Sequence, residues 1–358
     1  MASAFTPASA TTQASASTQA PASALADGLA RTLGGRITRL RRLSGGASQE
    51  TWALALQCAD SAAVDLILRR QPPGGQQRSA ANAGLAAEAA LITLAGRHGV
   101  PVPAIHQVLT PADALGQGFV MQCLQGETLG RRIATDPALA EARATLAWQC
   151  GQTLARLHAI APQQLPAGLR RAGPADELAH YRAWHQGHGT ARPVFQLAFD
   201  WLARRLPADT AAPVLVHGDF RNGNLMIDAQ GLRGVLDWEL AHVGDPMEDL
   251  GWLCVPSWRF GQVALPVGGF GTLDQLLAGY QSAGGRADRE RIRWWTVMGA
   301  LKWGVICESM LQAWLSGAER EVEKAAIGRR ASEAEIDLLT LIVPEANPHH
   351  APGAQHHA

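Results

Sequence analysis

"LVHGDFRNGNLMIDAQGLRGVLDWELAHVGDP", residues 215–246, holds Asp219, then Asn224 five positions on, then Asp237 thirteen positions after that. Around these three, short apolar runs read as strands: "PVLV" before His217, then "NLMID" and "LRGVLD" on either side of Ala229–Gln230–Gly231, a hairpin turn. With Gln230–Gly231 at the turn centre, paired positions sum to 461, so Asn224 is expected opposite Asp237. Opposed hairpin residues share a face with Cα atoms about 4.5–5.5 Å apart. An amide oxygen and a carboxylate would then converge as a hard cation such as magnesium requires. Asp219 sits in the loop before them, where a carboxylate near a metal-bound phosphate can orient a hydroxyl and take its proton. That division of labour is the one phosphoryl transfer uses. A polar hairpin with coincidental carboxylates is the competing reading, and the matched spacing of all three residues argues against it.

Outward from this stretch, the bulk properties exclude several classes. The chain has 358 residues, 47% hydrophobic and 17% charged, with a formal net charge of zero. That composition suits a globular protein of one or two domains and offers no support for broad nucleic-acid or anionic-membrane binding. No apolar run approaches the ~18–20 residues of a membrane helix. The five cysteines, Cys58, Cys123, Cys150, Cys254 and Cys307, show no metal spacing, which points to reduced thiols in a cytoplasmic protein. Of 31 basic residues only Lys302 and Lys324 are lysines, so phosphate contacts earlier in the chain must come from arginine or backbone.

Residues 1–26, rich in Ala, Ser, Thr, Gln and Pro, and the His-rich residues 344–358 read as disordered tails. Between them, "RITRLRRL", "ETWALALQ" and "AVDLILRR" read as strands. "AANAGLAAEAALITLAGRHG" reads as a helix, and "VPVPAIHQVL" and "GFVMQCL" as further strands. Helical patterns dominate from about Glu127. The expectation is an α+β chain with a small antiparallel-sheet N-lobe (27–124) and a larger, mostly helical C-lobe (125–343).

"HGDFRNGNLMID", "GVLDWE" and "GDPMEDL" resemble the catalytic and metal loops of the aminoglycoside phosphotransferase family, within the bilobal protein-kinase-like fold. The resemblance spans roughly residues 35–340. It implies Asp219 as catalytic base, Asn224 and Asp237 as magnesium ligands, and Arg221 near the transferred phosphate. His217 becomes a structural residue of the loop. Glu239 stands where protein kinases keep the glycine of D-F-G, which sets their loop switching aside. Asp245 reads as a helix N-cap, with Pro246 at the first helical position and Glu248 at the third. Asp249 either supports the catalytic loop or touches substrate.

The same resemblance implies an ATP site. Gly45, Gly46 and Ser48 in "LSGGASQE" resemble the family's phosphate-covering loop, although two adjacent glycines also suit a tight turn. "LILRRQPPGG" resembles the "LRR-PPG" segment of a branch related to acyl-CoA dehydrogenase fusion proteins. Arg69 then takes the role of the kinase lysine, with Glu88 as its helical partner; two solvated edge-strand arginines are the alternative. "FVMQCLQGETL" resembles a kinase hinge, with backbone at Gln122 and Leu124 pairing with the base and Met121 lining the adenine pocket.

For the acceptor, the helix "RIRWWTVMGALKWGVICESM" sets Arg293, Lys302 and Trp303 among aromatics, which suits an apolar body carrying anionic groups better than a polycation. The branch resemblance points the same way, to a hydroxyacyl-CoA or hydroxy acid. The alternatives are an aminoglycoside or another small alcohol, and a nucleotide-binding pseudokinase acting as a sensor or partner protein. The last has no need of Asp219.

Overall fold

The structure, a computed structural model, describes residues 19–45, 49–59, 61–74, 83–208 and 212–343. The chain falls into two compact units, one of residues up to 78 with Ala104–Cys123, the other of residues 79–103 with Leu124 onward.

The first unit opens with helix α1 (Gln19–Leu33), followed by strands β1 (Arg36–Gly45), β2 (Glu50–Gln57), β3 (Val64–Gln71), β4 (Ile105–Val108) and β5 (Gln117–Gln122). The strands form one antiparallel sheet in the order β1-β2-β3-β5-β4. Side chains two apart on a strand share a face, so Leu54 and Leu56 of β2 and Leu66 and Leu68 of β3 line one side of the sheet. Leu25 and Leu29, one helical turn apart on α1, complete that core with Leu109, Leu115 and Val120. Gly28 lets the helix approach, since a Cβ there would stand 2.5 Å from Leu115 Cδ2. Helix therefore begins at Gln19, inside the segment that composition assigns to a disordered tail. An alanine-rich run is a strong helix former, and two leucines on one face are enough to dock it.

The second unit contains α2 (Leu85–Arg97), α3 (Gly130–Thr135), α4 (Ala140–His158), α5 (Pro174–His188) and α6 (Pro193–Arg204). Next come the short strands β6 (Val214–Val216), β7 (Leu225–Asp228), β8 (Gly231–Val235) and β9 (His242–Gly244), then α7 (Met247–Leu253), α8 (Leu273–Ser282), α9 (Arg289–Leu315), α10 (Val322–Gly328) and α11 (Ala331–Ile342). Strand β6 pairs with β9, and β7 with β8. Helix α9, about 40 Å long at 1.5 Å per residue, is buried along most of its length. Helix α7 lies against it so closely that a Cβ on Gly251 would meet Trp295 Cβ at 2.5 Å. This contact matters for function, because α7 and α9 carry the side chains that hold the loop after β6.

Candidate active site

The loop His217–Asn224 joins β6 to β7. Gly218 takes φ +79°, and a Cβ there would lie 2.6 Å from Leu240 O, so only glycine serves. His217 is fully buried. Its Nδ1 accepts from Asp219 N (3.3 Å) and its Nε2 donates to Leu236 O (3.1 Å), a pattern that requires the neutral Nε2–H tautomer. Burial lowers the pKa of this imidazole despite the nearby carboxylates of Asp249, Asp219 and Asp237. The residue is structural, as the family pattern implies.

Asp249, projected from α7 and wholly buried, accepts hydrogen bonds from His217 N (2.8 Å), Gly218 N (2.9 Å) and His158 Nε2 (3.2 Å). Burial raises the pKa of this carboxyl, but those donors outweigh it and hold the group below the ordinary carboxylate value. Of the two readings open for Asp249, the geometry supports the loop.

Asp219 has three donors. Its Oδ1 accepts from Arg221 Nε (2.9 Å) and Trp252 Nε1 (2.8 Å), and its Oδ2 accepts from Asn224 Nδ2 (2.6 Å). A carboxylate offers about four lone-pair positions, so one on Oδ2 is left for a further donor. The side chain is 14% exposed, enough for a small hydroxyl to reach. Arg221 also donates from NH1 to Asn222 O (2.8 Å), and its guanidinium lies 4.7 Å from the Trp258 ring centroid.

Trp252 is the residue at this site that sequence reading missed, because a tryptophan in a helical lobe reads as core. The available signal was its spacing: three residues after Asp249, it shares that helix face and must point toward the same loop. Its ring is covered by Lys302, whose Nζ lies 4.6 Å from the centroid and donates to Gly218 O (3.1 Å). Burial opposes the charge on Lys302, yet Tyr181, Glu248, Glu177 and Asp219 together raise its pKa. Glu248 Oε1 is 3.9 Å from Nζ.

This arrangement corrects two expectations. Lys302 does not face an anionic acceptor; it is a buried cation beneath the His217–Asn224 loop. Arg293, nine positions earlier, is half a turn out of phase at about 100° per residue. It lies over Trp201 beside a cavity of about 410 Å³ that Arg205 and Arg291 also line. Glu248, in turn, does not close a capping box. It bonds His242 Nε2 (3.2 Å), while the helix starts one residue later than expected, with Pro246 at the N-cap and Asp245 ahead of it accepting from Met247 N (3.0 Å).

The hairpin register also differs. The pairs are Leu225↔Val235 and Met226↔Gly234, then, past a bulge, Ile227↔Leu232 and Asp228↔Gly231. The turn is thus Ala229–Gln230, and Asn224 O accepts from Leu236 N (2.8 Å), so Asn224 stands opposite Leu236 rather than Asp237. Gln149 on α4 sets this register, since it accepts from Leu232 N (2.7 Å) and donates to Gln230 O (3.3 Å). Asp237 is the next residue, with φ +61°, a left-handed conformation that is costly for a residue with a side chain and typical of functional positions. The donor chemistry still suits magnesium: Asn224 commits its amide nitrogen to Asp219, leaving its oxygen, and Asp237 adds a carboxylate.

Of the residues expected to hold nucleotide, Gly45 pairs with Glu50 at the end of β1, while Gly46 and Ser48 lie outside the described residues. Arg69 is on β3 opposite Thr51 and Phe119, with NH2 3.5 Å from Gln49 Oε1. Arg70 instead binds Glu50, at 2.9 Å, and Leu115 O. Glu88 is buried on α2, in the second unit. Gln122 ends β5, and its N–H is taken by Ala104 O (2.8 Å), so a contact to a base from this residue must use its carbonyl. Leu124 begins the second unit's main segment.

Residues 39–295 match the profile of the phosphotransferase enzyme family APH. The chain belongs to that family. Curated relatives include acyl-CoA dehydrogenase family proteins. The acyl-CoA dehydrogenase-like protein IBR3 of Arabidopsis thaliana is 26% identical over 325 residues, covering 81% of this chain and 38% of that protein. The chain spans less than half the length of the curated relatives it matches. Among solved structures, a Ralstonia eutropha protein provisionally assigned as an aminoglycoside phosphotransferase matches with a TM-score of 0.66 at 19% identity, over 89% of this chain and 97% of that one. Aminoglycoside phosphotransferase APH(4)-Ia, in a ternary complex with AMP-PNP and hygromycin B, matches with a TM-score of 0.57 at 15% identity, over 90% and 98%. The phosphotransferase thus has the protein-kinase-like fold of these neighbours. Among the described residues no helix is long and apolar enough to cross a membrane.

Proposed function

We propose that this phosphotransferase moves the γ-phosphate of ATP to the hydroxyl of a hydroxyacyl-CoA or related hydroxy acid. The carrying observation is Asp219, a partly exposed carboxylate held by three donors with one lone pair left on Oδ2. That atom orients the acceptor hydroxyl and receives its proton as the oxygen attacks phosphorus. Two of the three guanidinium nitrogens of Arg221 are committed, and the remaining one is available to a phosphate oxygen. Magnesium, held by Asn224 and Asp237, would offset charge on the phosphates. Arg69, Glu88, the backbone of Gly45 and Gly46, Ser48, and the backbone of Gln122 and Leu124 are the residues assigned to the nucleotide. APH(4)-Ia, with its bound AMP-PNP, supports a nucleotide of this kind.

The acceptor class rests on charge and on kinship. A polycationic drug needs open acidic surface, whereas the acids of "GDPMED" turn inward. Asp245 meets Arg291 and Trp295, Glu248 meets His242, and Asp249 meets the loop backbone. The relatives named as acyl-CoA dehydrogenases favour an acyl-CoA-linked substrate.

The test is product mass after incubation with ATP and magnesium against hydroxyacyl-CoA esters, free hydroxy acids, choline-like alcohols and kanamycin, with Asp219→Asn as control. One phosphoryl group gained on a hydroxyacyl-CoA, and absent with the variant, is the expected result. A gain on kanamycin alone, or none on any arm, overturns the acceptor assignment.

A further inference from the structure

Helices α7 and α8 are joined by "PSWRFGQVALPVGGFG", residues 256–271, which contains a single charged residue, Arg259. Its ends are drawn together by the catalytic loop itself. Asn222 Nδ2 donates to Trp258 O (3.3 Å) and to Gly268 O (2.7 Å), and a Cβ on Gly269 would meet Arg259 O at 2.3 Å. A loop closed this tightly at its base is a compact platform with its middle residues turned outward.

The outward residues are apolar. Val263 is 76% exposed and Phe260 39% exposed. The Phe260 ring packs on Gly130, where a Cβ would stand 2.3 Å from Cε2, and Leu129, the residue before that glycine, is 62% exposed. Phe260 holds φ +48°, an unfavourable conformation for a residue with a side chain. Arg259 turns its NH2 inward to Cys254 O (2.8 Å). The strip is continuous with the catalytic loop through Asn222, whose Cβ also borders Gly130, and through Arg221, which bonds Asp219 while lying on Trp258.

We infer that Leu129, Phe260 and Val263 form an apolar strip that seats the hydrocarbon chain of the hydroxyl acceptor and sets its preferred length. This deepens the proposed function and rests on it for the identity of the acceptor. An apolar strip joined to the loop that carries Asp219 has no use for a polycation and offers little to a short polar alcohol. A hydrocarbon chain buries surface on it while its hydroxyl reaches Asp219.

The experiment measures Kd by calorimetry for a straight-chain series of hydroxyacyl-CoA thioesters and for the matching free hydroxy acids, with phosphoryl transfer followed on the same series. Each methylene that reaches the strip is expected to lower Kd about fourfold, from ~0.8 kcal/mol per buried methylene. The slope should appear in both arms, since the chain is common to them. Val263→Ser, at an exposed position, and Phe260→Gly, which suits the positive φ, should each flatten the slope. Melting temperature checks their folding. A slope that is flat in the natural protein, or unchanged in both folded variants, overturns the inference. Transfer with a flat slope would defeat the strip and leave the reaction standing. A chain-length slope without transfer on any arm would keep the strip and defeat the reaction.

Discussion

Replacing Trp252 by Phe removes one atom group of consequence, the indole N–H that lies 2.8 Å from Asp219 Oδ1. The phenyl ring still fills the site beneath Lys302 and keeps an edge toward Trp258, whose centroid is 5.2 Å away. A hydrogen bond to a charged group contributes about 1.5–3 kcal/mol. Arg221 Nε remains on the same oxygen and the carboxylate is partly exposed, so water replaces part of the loss and the lower end applies. About 1.5 kcal/mol of lost orientation corresponds to roughly a tenfold fall in kcat. The assay is initial rate at saturating magnesium-ATP, paired with equilibrium binding of a non-hydrolysable ATP analogue. The expected result is a kcat about tenfold lower, nucleotide affinity within about twofold and a melting temperature lower by only a few degrees. A folded variant with unchanged kcat would refute the claim that the indole holds the base in position. A fall in nucleotide affinity equal to the fall in kcat would mean that the residue acts on the nucleotide and not on Asp219.

Asp219→Asn cannot take a proton, so turnover should fall by about 10²–10⁴ while binding of the ATP analogue persists, as read by single-turnover kinetics and calorimetry. Asp249→Asn leaves one acceptor oxygen facing three buried donors and should cost about 3–5 kcal/mol in denaturant unfolding. Because the Asp249 pKa is lowered from 3.8 in the fold, its contribution is complete above that value and fades as pH falls through the folded one. The stability gap between this variant and the natural protein should therefore narrow below about pH 4. At His242, burial lowers the pKa but Glu248 outweighs it, so the folded value stands above 6.5. Its contribution is then complete below 6.5 and lost as pH rises through the folded value, and His242→Gln should flatten melting temperature across that window. Leu29→Ala, at a fully buried position on α1, should cost about 2–5 kcal/mol in chemical denaturation.

Elements governed by local pattern were legible in the sequence. The strands of the first unit and helix α2 follow from alternation and helical periodicity, and the catalytic loop follows from the spacing of Asp219, Asn224 and Asp237. Features that depend on distant partners were not. Alanine and serine near the N-terminus signal disorder by composition, yet Leu25 and Leu29 dock a helix once a sheet exists to receive them. The hairpin register turned on a single residue, because Gln149, far back on α4, claims the backbone at Gln230 and Leu232 and moves the turn one position. A slip of that size reverses which side chains oppose each other, and so Asp237 reaches its place through a left-handed backbone rather than a strand pair.

The acids of "GDPMED" show why a motif rich in carboxylates need not be rich in catalytic ones. Three carboxylates within five residues would repel one another and bind cations if they were open to solvent. Each instead has a partner that sequence distance conceals: Asp245 has Arg291, Glu248 has His242 and Lys302, and Asp249 has His158 and two backbone amides. Every one of these partners is held by α4, β9, α9 or the loop itself. Neutralising the acids therefore fastens the helices to His217–Asp219. Lys302 closes the arrangement, since its ammonium lies 3.9 Å from Glu248 Oε1, covers Trp252 and donates to Gly218 O. Removing that one charge would leave Glu248 buried with only His242 to balance it and release the carbonyl next to Asp219. Lys302 thus joins α9 to the same loop that Asp249 and Trp252 join to α7, and it reaches Asp219 through the backbone before it and the indole beside it.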